Sequence, residues 1–313
     1  MTIRNLKNHH EPKKRTAVYK IASLGVLCML GAAAVYLSRM SLKQFKVMAC
    51  LNKDFAPTLA DSHVSDLQAK EALQRMAKIV REPVQSTCEV IPFGLDGSST
   101  NYGRHDLCKR EYTTPCSVLS YGIQQEYTFE IDVRKQLGCT VFALDPTVNY
   151  QAELAEGVYF MKWGAPSEAS AEWLGPQGAW IHVSPVALSA LVAPNQPIPI
   201  LKMDCEGCEY RLYEPIMRYE PNFFERVDQL AIEIHLSKAL GMSTNDAALE
   251  WGKTLVLLER AGHRLQDVSI GSCAAADETT GTADLMIETG YADKENLDPG
   301  NRGHCHNYLF ARV

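Results

Sequence analysis

The sequence predicts an α/β fold, in which an open and mostly parallel β-sheet carries helices on both of its faces. Two observations predict it. Short apolar runs of strand character alternate with segments of helical periodicity, which is typical of βαβ units with right-handed crossovers. Several of the apolar runs also end in an acid or a glycine, as strands do where a parallel sheet presents ligand-binding groups at its carboxyl edge.

The composition is that of a globular protein, and its charge is unevenly distributed. The 313 residues are 46% hydrophobic and 22% charged, which excludes a wholly disordered or low-complexity chain. Residues 1–40 carry seven basic side chains and one acid, so that a net charge of −6 for the chain leaves −12 for the remainder. An acidic body repels phosphate backbones, and we therefore expect no nucleic-acid partner.

The N-terminal segment has the pattern of a membrane anchor. Residues 21–38 contain no charged side chain, and eighteen helical residues span about 27 Å, roughly the thickness of a bilayer core. The preceding basic tail, residues 1–20, predicts a cytoplasmic N-terminus and a type II topology, with the body in the lumen of the endoplasmic reticulum or Golgi. Ten cysteines are compatible with that compartment. A signal peptide and a buried core helix are the alternatives.

The remainder of the chain divides into a stem region, residues 39–110, and a main domain, residues 111–313. Periodicity in the stem region predicts a helix over residues 61–81. In the main domain, apolar runs predict the strands, and helical periodicity or turn residues predict the other segments. The predicted strands are residues 117–122, 139–146, 179–183, 198–204, 229–235, 284–287 and 307–311. The predicted helices are residues 126–137, 210–219 and 247–261. We expect a short helix or a loop at residues 186–192 and a long loop at residues 271–303.

The first predicted βαβ unit has features of a nucleoside site. Asp145 ends its second strand, 23 residues after Gly122, and an acid at this place commonly binds ribose hydroxyls; a turn aspartate before Pro146 is the alternative. The loop after the first strand has a single glycine, and Glu126 opens the next helix. This loop is unsuited to a pyrophosphate. The pattern therefore favours S-adenosylmethionine, which has a nucleoside but no phosphate, over NAD or ATP.

A second group of acids follows the strand at residues 198–204. Asp204, Glu206 and Glu209 lie within six residues, with Gly207 allowing a tight turn. Crowded carboxylates cost free energy unless they bind a cation, accept hydrogen bonds or cap a helix. The structural alternative is an acid-rich helix N-terminus.

The cysteines inside this segment have two further interpretations. Cys205 and Cys208 have the spacing of a zinc site, whose other ligands would be the distant residues 304–306, or of a thioredoxin-like redox pair. We assign no metal ligands from the sequence.

A histidine and an acid share one side of the next strand. Glu233 and His235 are two residues apart, so their side chains point to the same face. A histidine beside an acid is suited to act as general base for a hydroxyl substrate. A structural histidine is the alternative.

Four stretches of the sequence resemble the FkbM-type methyltransferases, in particular the branch of methyltransferase-like protein 24. They are SYGI at 120–123 with Phe129-Glu130, GCTVFALDP at 138–146, LKMDCEGCE at 201–209 and IEIH at 232–235. The resemblance covers about residues 110–265. It implies a Rossmann-like class I methyltransferase domain that uses S-adenosylmethionine.

The resemblance also implies roles for individual residues. Asp145 would hold the ribose, and Ser120, Tyr121 and Gly122 would lie near the methionine end of the cofactor. Glu130 matches a family acid near the cofactor. Asp204 and Glu206 would face the reacting methyl group or the acceptor.

The sequence thus predicts a membrane-anchored methyltransferase that methylates an oxygen nucleophile, a hydroxyl of a glycan or a small molecule. Asp204, Glu206 and His235 are its candidate catalytic residues, with His235 or Asp204 taking the acceptor's proton. One alternative is a non-catalytic lumenal binding protein on the same fold. The other is a type II glycosyltransferase, for which residues 204–206 only approximate the metal-binding D-x-D motif.

Overall fold

The computed structural model describes residues 63–80, 84–94, 104–165, 181–205, 207–235, 243–271 and 305–313. All of them belong to one compact unit, Ala60–Val313. Among these residues no helix has both the length and the apolar character needed to cross a membrane. The predicted anchor at residues 21–38, the basic tail and the predicted strand at residues 284–287 lie outside the described residues.

An eight-stranded mixed sheet forms the centre of the unit. Its strands are β3 (Ser117–Tyr121), β4 (Thr140–Leu144), β5 (Glu153–Ala155), β6 (Val158–Met161), β9 (Ile198–Met203), β10 (Val227–His235), β11 (His263–Gly271) and β12 (Cys305–Arg312). Two smaller pairs stand apart from it: β1 (Val90–Phe93) with β2 (His105–Cys108), and β7 (Trp163–Gly164) with β8 (Ile181–His182).

The strand order of the central sheet is β11-β12-β10-β9-β3-β4-β6-β5. The five strands from β10 to β6 are parallel, whereas β12 and β5 pair antiparallel with their neighbours. Numbered in chain order, the parallel strands follow the 3-2-1-4-5 order of doubly wound sheets, which reverses between β3 and β9. The centre of the sheet is therefore parallel, as predicted, whereas the strand pairs toward both edges are antiparallel.

Helices cover both faces of the sheet. They are α1 (Asp66–Ile79), α2 (Thr128–Leu137), α3 (Pro185–Val192), α4 (Tyr213–Tyr219), α5 (Phe223–Arg226) and α6 (Thr244–Arg260), with a 3₁₀ helix at Cys208–Arg211. Leu119 and Leu201 pack in the core that contains α1, α3, α4 and α6, whereas Val118 and Ile200 pack in the core that contains α2 and the β1–β2 pair. All six residues of β9 are buried, as expected for a central strand covered on both faces.

Local sequence signals explain where the helices begin and end. Ser65 and Gln68 form a capping box at the start of α1, and Ser184 and Ser243 cap α3 and α6. Their hydroxyls accept backbone N–H groups that have no partner inside the helix. Gly138 ends α2 in the left-handed region, with φ of 72°, where glycine is the favoured residue.

The domain boundary predicted at residue 110 is not where the compact unit begins. Val64 and Leu73 lie in the same core as α6, while Phe93 and Leu107 pack with α2. These apolar side chains need the sheet to bury them, so the segments that precede β3 complete the fold. Disulfide Cys88–Cys108 ties this part of the chain together, and Cys116–Cys139 joins the residue before β3 to the residue before β4.

His263, at the start of β11, makes the stability of the fold depend on pH. The residue is 2% exposed, and burial, with a contribution from the positive charge of Arg312, lowers the pKa of its imidazole to about 4. The folded state therefore binds this proton less readily than the unfolded chain, whose histidine has its ordinary pKa of about 6.5. The contribution of neutral His263 to the stability of the fold is therefore complete above the unfolded-state pKa, about 6.5. It is lost as the pH falls toward the folded-state pKa, about 4.

We expect the free energy of unfolding to fall by about 3 kcal/mol between pH 7 and pH 4 through this residue. Urea unfolding at several pH values measures it. The His263→Phe variant is the comparison, because a phenyl ring cannot titrate and its stability should fall less steeply over the same interval. An unchanged slope in the variant would contradict the assignment.

Candidate functional site

The carboxyl ends of β3, β9 and β10 meet at the place where the strand order reverses. Tyr121, the last residue of β3, pairs in register with Met203 of β9, which pairs with Ile232 of β10. The residues that follow or end these strands are thereby brought to one edge. In doubly wound sheets this edge, at the reversal of strand order, is the ligand-binding crevice.

Gly122 closes the turn after β3 directly against the end of β9. Its φ is +75°, and a Cβ at this position would lie 1.7 Å from the carbonyl oxygen of Asp204. The backbone is held on both sides: Gly122 N–H donates to the Leu144 carbonyl at 2.8 Å, and Asp204 N–H donates to the Tyr121 carbonyl at 3.0 Å. A side chain at residue 122 is excluded both by the backbone conformation and by the close approach.

Lys202 joins the turn to the acidic cluster. Its side chain on β9 is buried, its ammonium donates to the Gly122 carbonyl, and it lies 3.6 Å from Asp204 Oδ2. A buried ammonium is tolerated only with such partners. Lys202 thus positions the Gly122 turn and neutralises part of the charge beside it.

Asp204 lies between three cationic or titratable side chains. Its Oδ2 is 3.5 Å from His105 Nε2 and 3.6 Å from Lys202 Nζ, and its Oδ1 is 3.8 Å from His235 Nε2. Burial by itself would raise the pKa of Asp204, but Lys202 and the two imidazoles outweigh burial and hold the pKa well below its usual range. With 21% of its side chain exposed, Asp204 is a carboxylate that solvent and ligands can reach.

Glu209 fixes the orientation of His235. Its Oε1 lies 2.9 Å from both the backbone nitrogen and Nδ1 of His235, and its Oε2 accepts the Gly207 N–H at 2.8 Å. Burial would lower the pKa of His235, but the buried Glu209 carboxylate, with Glu233 and Asp204, raises it to about 10. The imidazole is therefore a cation at neutral pH in this arrangement, which suits it to stabilise negative charge rather than to accept a proton.

Glu233 completes the cluster. Its Oε1 is 3.9 Å from His235 Nε2, and burial together with the negative charge of Asp204 raises the pKa of its carboxyl to about 8. Neighbouring carboxylates whose pKa values are pushed apart are typical of functional sites. The cluster of Lys202, Asp204, Glu209, Glu233 and His235 is hereafter called the strand-end cluster.

Asp145 organises the loop that follows β3. Its Oδ2 accepts the N–H groups of Ile123 and Gln124 at 3.0 and 2.7 Å, and its Oδ1 accepts the N–H and hydroxyl of Thr147 at 2.8 and 2.5 Å. An ionised carboxylate has about four acceptor positions. All of them are occupied by donors of this chain, so Asp145 supports the loop rather than presenting free acceptors to a ribose.

Ser120 and Glu130 form a buried pair beside this loop. The Ser120 hydroxyl donates to Glu130 Oε1 at 2.5 Å, and Glu130 is 1% exposed. Its other oxygen, Oε2, has no hydrogen-bond partner within the described part of the chain. Buried polar atoms without partners are uncommon and are candidates for ligand contact.

Tyr121, which the sequence placed in the cofactor site, has a buried side chain. Its ring lies in the core, and its hydroxyl donates to the Val183 carbonyl at 3.0 Å. Because side chains alternate along a strand, Tyr121 points away from the face that carries Ser120. Only its backbone contributes to the turn at the strand end.

Of the predicted catalytic residues, the structure brings Asp204 and His235 together beside Gly122, and Glu206 lies outside the described residues. Sequence reasoning missed His105, which reaches Asp204 from β2. It also gave Glu209 no separate role, although its place among the crowded acids was a signal. Cys205 and Cys208 are joined in a disulfide in this structure.

A cavity of about 480 Å³ lies elsewhere, at the amino ends of β9 and β10, next to Pro197, Pro199 and Asp228. We assign no function to it, since ligands of parallel sheets bind at the opposite edge.

A known protein family matches part of this chain. Residues 84–249 match a family model described as a methyltransferase domain. The match covers just over half of the chain and includes β3, β4, β9, β10 and the strand-end cluster. No curated protein matches the chain.

Proposed function

Since this chain belongs to the methyltransferase domain family, we propose that it is an S-adenosylmethionine-dependent methyltransferase of the Rossmann-like class I type. The observation that carries the proposal is the strand-end cluster, which lies at the reversal of strand order inside the family-matched residues. The four sequence stretches that resemble FkbM-type enzymes support assignment to that branch.

The residues present fit this cofactor at Glu130. S-adenosylmethionine carries an ammonium and ribose hydroxyls, and the buried Glu130 Oε2 is an acceptor without a donor in the described part of the chain. Glu130 and the turn at residues 120–122 would hold the cofactor, with Asp145 keeping the adjacent loop in shape. The cofactor supplies the activated methyl group when bound.

The acceptor of the proposed reaction is an oxygen nucleophile at the strand-end cluster. Its hydroxyl would donate to Glu233, whose raised pKa makes it a better proton acceptor than Asp204. His235 and Lys202 would fix the charge around it. As the hydroxyl oxygen takes up the methyl group that the bound cofactor would supply, Glu233 would take the hydroxyl proton. The protein thus contributes alignment and proton transfer.

We propose a type II membrane location, with the anchor at residues 21–38 and the body in the endoplasmic reticulum or Golgi lumen. The uncharged run in the sequence supports this location. Disulfides Cys88–Cys108 and Cys116–Cys139 are consistent with an oxidising compartment. Hydroxyls of glycans or small molecules are acceptors that this location would supply.

Calorimetric titration of the full chain with S-adenosylhomocysteine tests the cofactor assignment. We expect saturable binding of one equivalent, and about tenfold or greater weakening by Glu130→Gln, because a hydrogen bond to a charged acceptor contributes about 1.5–3 kcal/mol. Glu71→Gln, an exposed change on α1, should bind like the wild type. Absence of binding by folded wild-type protein would contradict the proposal.

A second candidate is a binding protein on the same fold that has lost catalysis. The full occupation of Asp145 by donors of its own chain favours it, because a ribose would have to displace one of them. The same titration separates the two candidates: this one predicts no cofactor binding by the folded chain.

A further inference from the structure

We propose that Asp204, Glu233 and His235 form a binding site for a divalent transition-metal cation. Each offers one ligand atom, and the three atoms lie within 4.8 Å of one another. His235 Nε2 is 3.8 Å from Asp204 Oδ1 and 3.9 Å from Glu233 Oε1. A metal site is a property beyond the methyl transfer proposed above, and its existence does not depend on that reaction.

The far side of His235 is arranged as in metal sites. Its Nδ1 is hydrogen-bonded to Glu209, whose carboxylate is wholly buried and is itself held by the Gly207 N–H. Metal-binding histidines characteristically donate their second ring nitrogen to a carboxylate, which fixes the ring orientation. Here the contact leaves Nε2 directed at the two carboxylates, where a cation would replace its proton.

The two oxygens of Asp204 are divided between different partners. Oδ2 faces His105 and Lys202, whereas Oδ1 faces His235. Lys202 therefore lies on one side of the carboxylate, and the other side faces His235 and Glu233, the two other proposed ligands. With a metal bound, His235 would be neutral and Glu233 ionised, and the strand-end cluster would then have three carboxylates and one ammonium, an excess that a cation of two charges would balance.

The distances and ligand types indicate the class of ion. Ligand atoms around tetrahedral zinc lie about 3.4 Å apart, given bonds of about 2.1 Å. The two spacings from His235 Nε2, 3.8 and 3.9 Å, need to contract by about half an ångström, and the two carboxylates lie within 4.8 Å of each other. Two carboxylates with one imidazole suit Mn²⁺, Zn²⁺ and similar ions. The other nearby group, Cys205 and Cys208 with Glu209, offers no thiolate because its cysteines form a disulfide.

A bound cation would leave coordination positions for an oxygen ligand. If the proposed function holds, that ligand is the acceptor hydroxyl, which a metal would polarise toward loss of its proton. This last step alone rests on the proposed function. The binding of the ion itself is measured without any methyl acceptor.

Mn²⁺ titration of the metal-stripped full chain, followed by electron paramagnetic resonance, tests the site. Mn²⁺ is the probe because it has little preference for thiolates. We expect one saturable equivalent in the wild type, no such equivalent in Asp204→Asn or His235→Ala, and unchanged binding in Glu71→Gln. Glu209→Gln should weaken binding about 10- to 100-fold, as changes in outer partners do.

Two results would overturn the inference: no saturable Mn²⁺ binding by the folded wild type, or wild-type Mn²⁺ binding by either Asp204→Asn or His235→Ala. Near-UV circular dichroism establishes that each variant is folded. If a variant is not folded, the melting temperature of the wild type is measured with and without Mn²⁺, and a rise with Mn²⁺ supports binding to the folded protein. Titration with S-adenosylhomocysteine in the absence of metal separates the two proposals, since cofactor binding without Mn²⁺ binding rejects the metal site alone.

Discussion

Replacing Gly122 by alanine is expected to destabilise the protein by about 2–5 kcal/mol. An L-residue in the left-handed region costs about 1–2 kcal/mol, and the forced movement of packed atoms adds about 1–3 kcal/mol. The atom that would have to move is the Asp204 carbonyl oxygen, 1.7 Å from the new Cβ, and backbone cannot rotate away as a side chain does. Urea unfolding of the variant gives the free-energy difference.

Gly262→Ala is the matched control. Gly262 also has a positive φ, +84°, but a Cβ there would meet nothing within 4 Å. Its cost should stay at about 1–2 kcal/mol, the conformational part alone. Equal losses in the two variants would mean that the contact between the Gly122 turn and β9 is not the source of the effect.

Lys202→Met is expected to cost about 3 kcal/mol or more. The change leaves Asp204 with only the two imidazoles as partners, and breaking a buried ion pair typically costs about 3–5 kcal/mol. We expect the lower end of this energy range because the Asp204 side chain is 21% exposed and water can solvate part of it. The variant also loses the donor to the Gly122 carbonyl. Chemical denaturation measures the loss.

A double-mutant cycle with Asp204→Asn identifies the cause. Once residue 204 is neutral, methionine at residue 202 leaves no unpaired charge, so the two changes together should cost less than the sum of each alone. Strictly additive costs would show that Lys202 acts through its other contact, with Gly122. Circular dichroism of the double variant confirms that it is folded.

The central strands were predictable from sequence because burial on both faces leaves a plain apolar signal. The predictions at residues 117–122, 139–146, 198–204 and 229–235 are confirmed by β3, β4, β9 and β10. The helices predicted at residues 126–137 and 247–261 are confirmed as well. Each has glycine just beyond its end, which marks where a helix stops.

The edges of the sheet were not predictable in the same way. Residues 153–161 form β5 and β6 with an intervening turn, but their short and partly exposed strands lack a continuous apolar run. The strand predicted at residues 179–183 is seen in its described part as β8, which pairs with β7 outside the central sheet. Pairing of this kind is decided by tertiary neighbours, which periodicity does not reveal.

For the site, the sequence indicated the right sheet edge but few of the contacts. Parallel topology was enough to bring Asp204 and His235 together. It could not show that Asp145 is engaged by its own loop, because those hydrogen bonds depend on how residues 122–127 turn. Nor could it reveal His105, which reaches Asp204 from a strand 99 positions earlier in the chain.

The position of β12 determines when the sheet can be completed during biosynthesis. Residues 305–312 lie between β10 and β11, both of which emerge from the ribosome before them. Until this segment is translated, β10 lacks its antiparallel partner and, among the strands that the structure describes, β11 has none to join in the sheet. The nascent chain therefore has an interval with an unpaired apolar strand edge, the kind of surface that chaperones protect from aggregation.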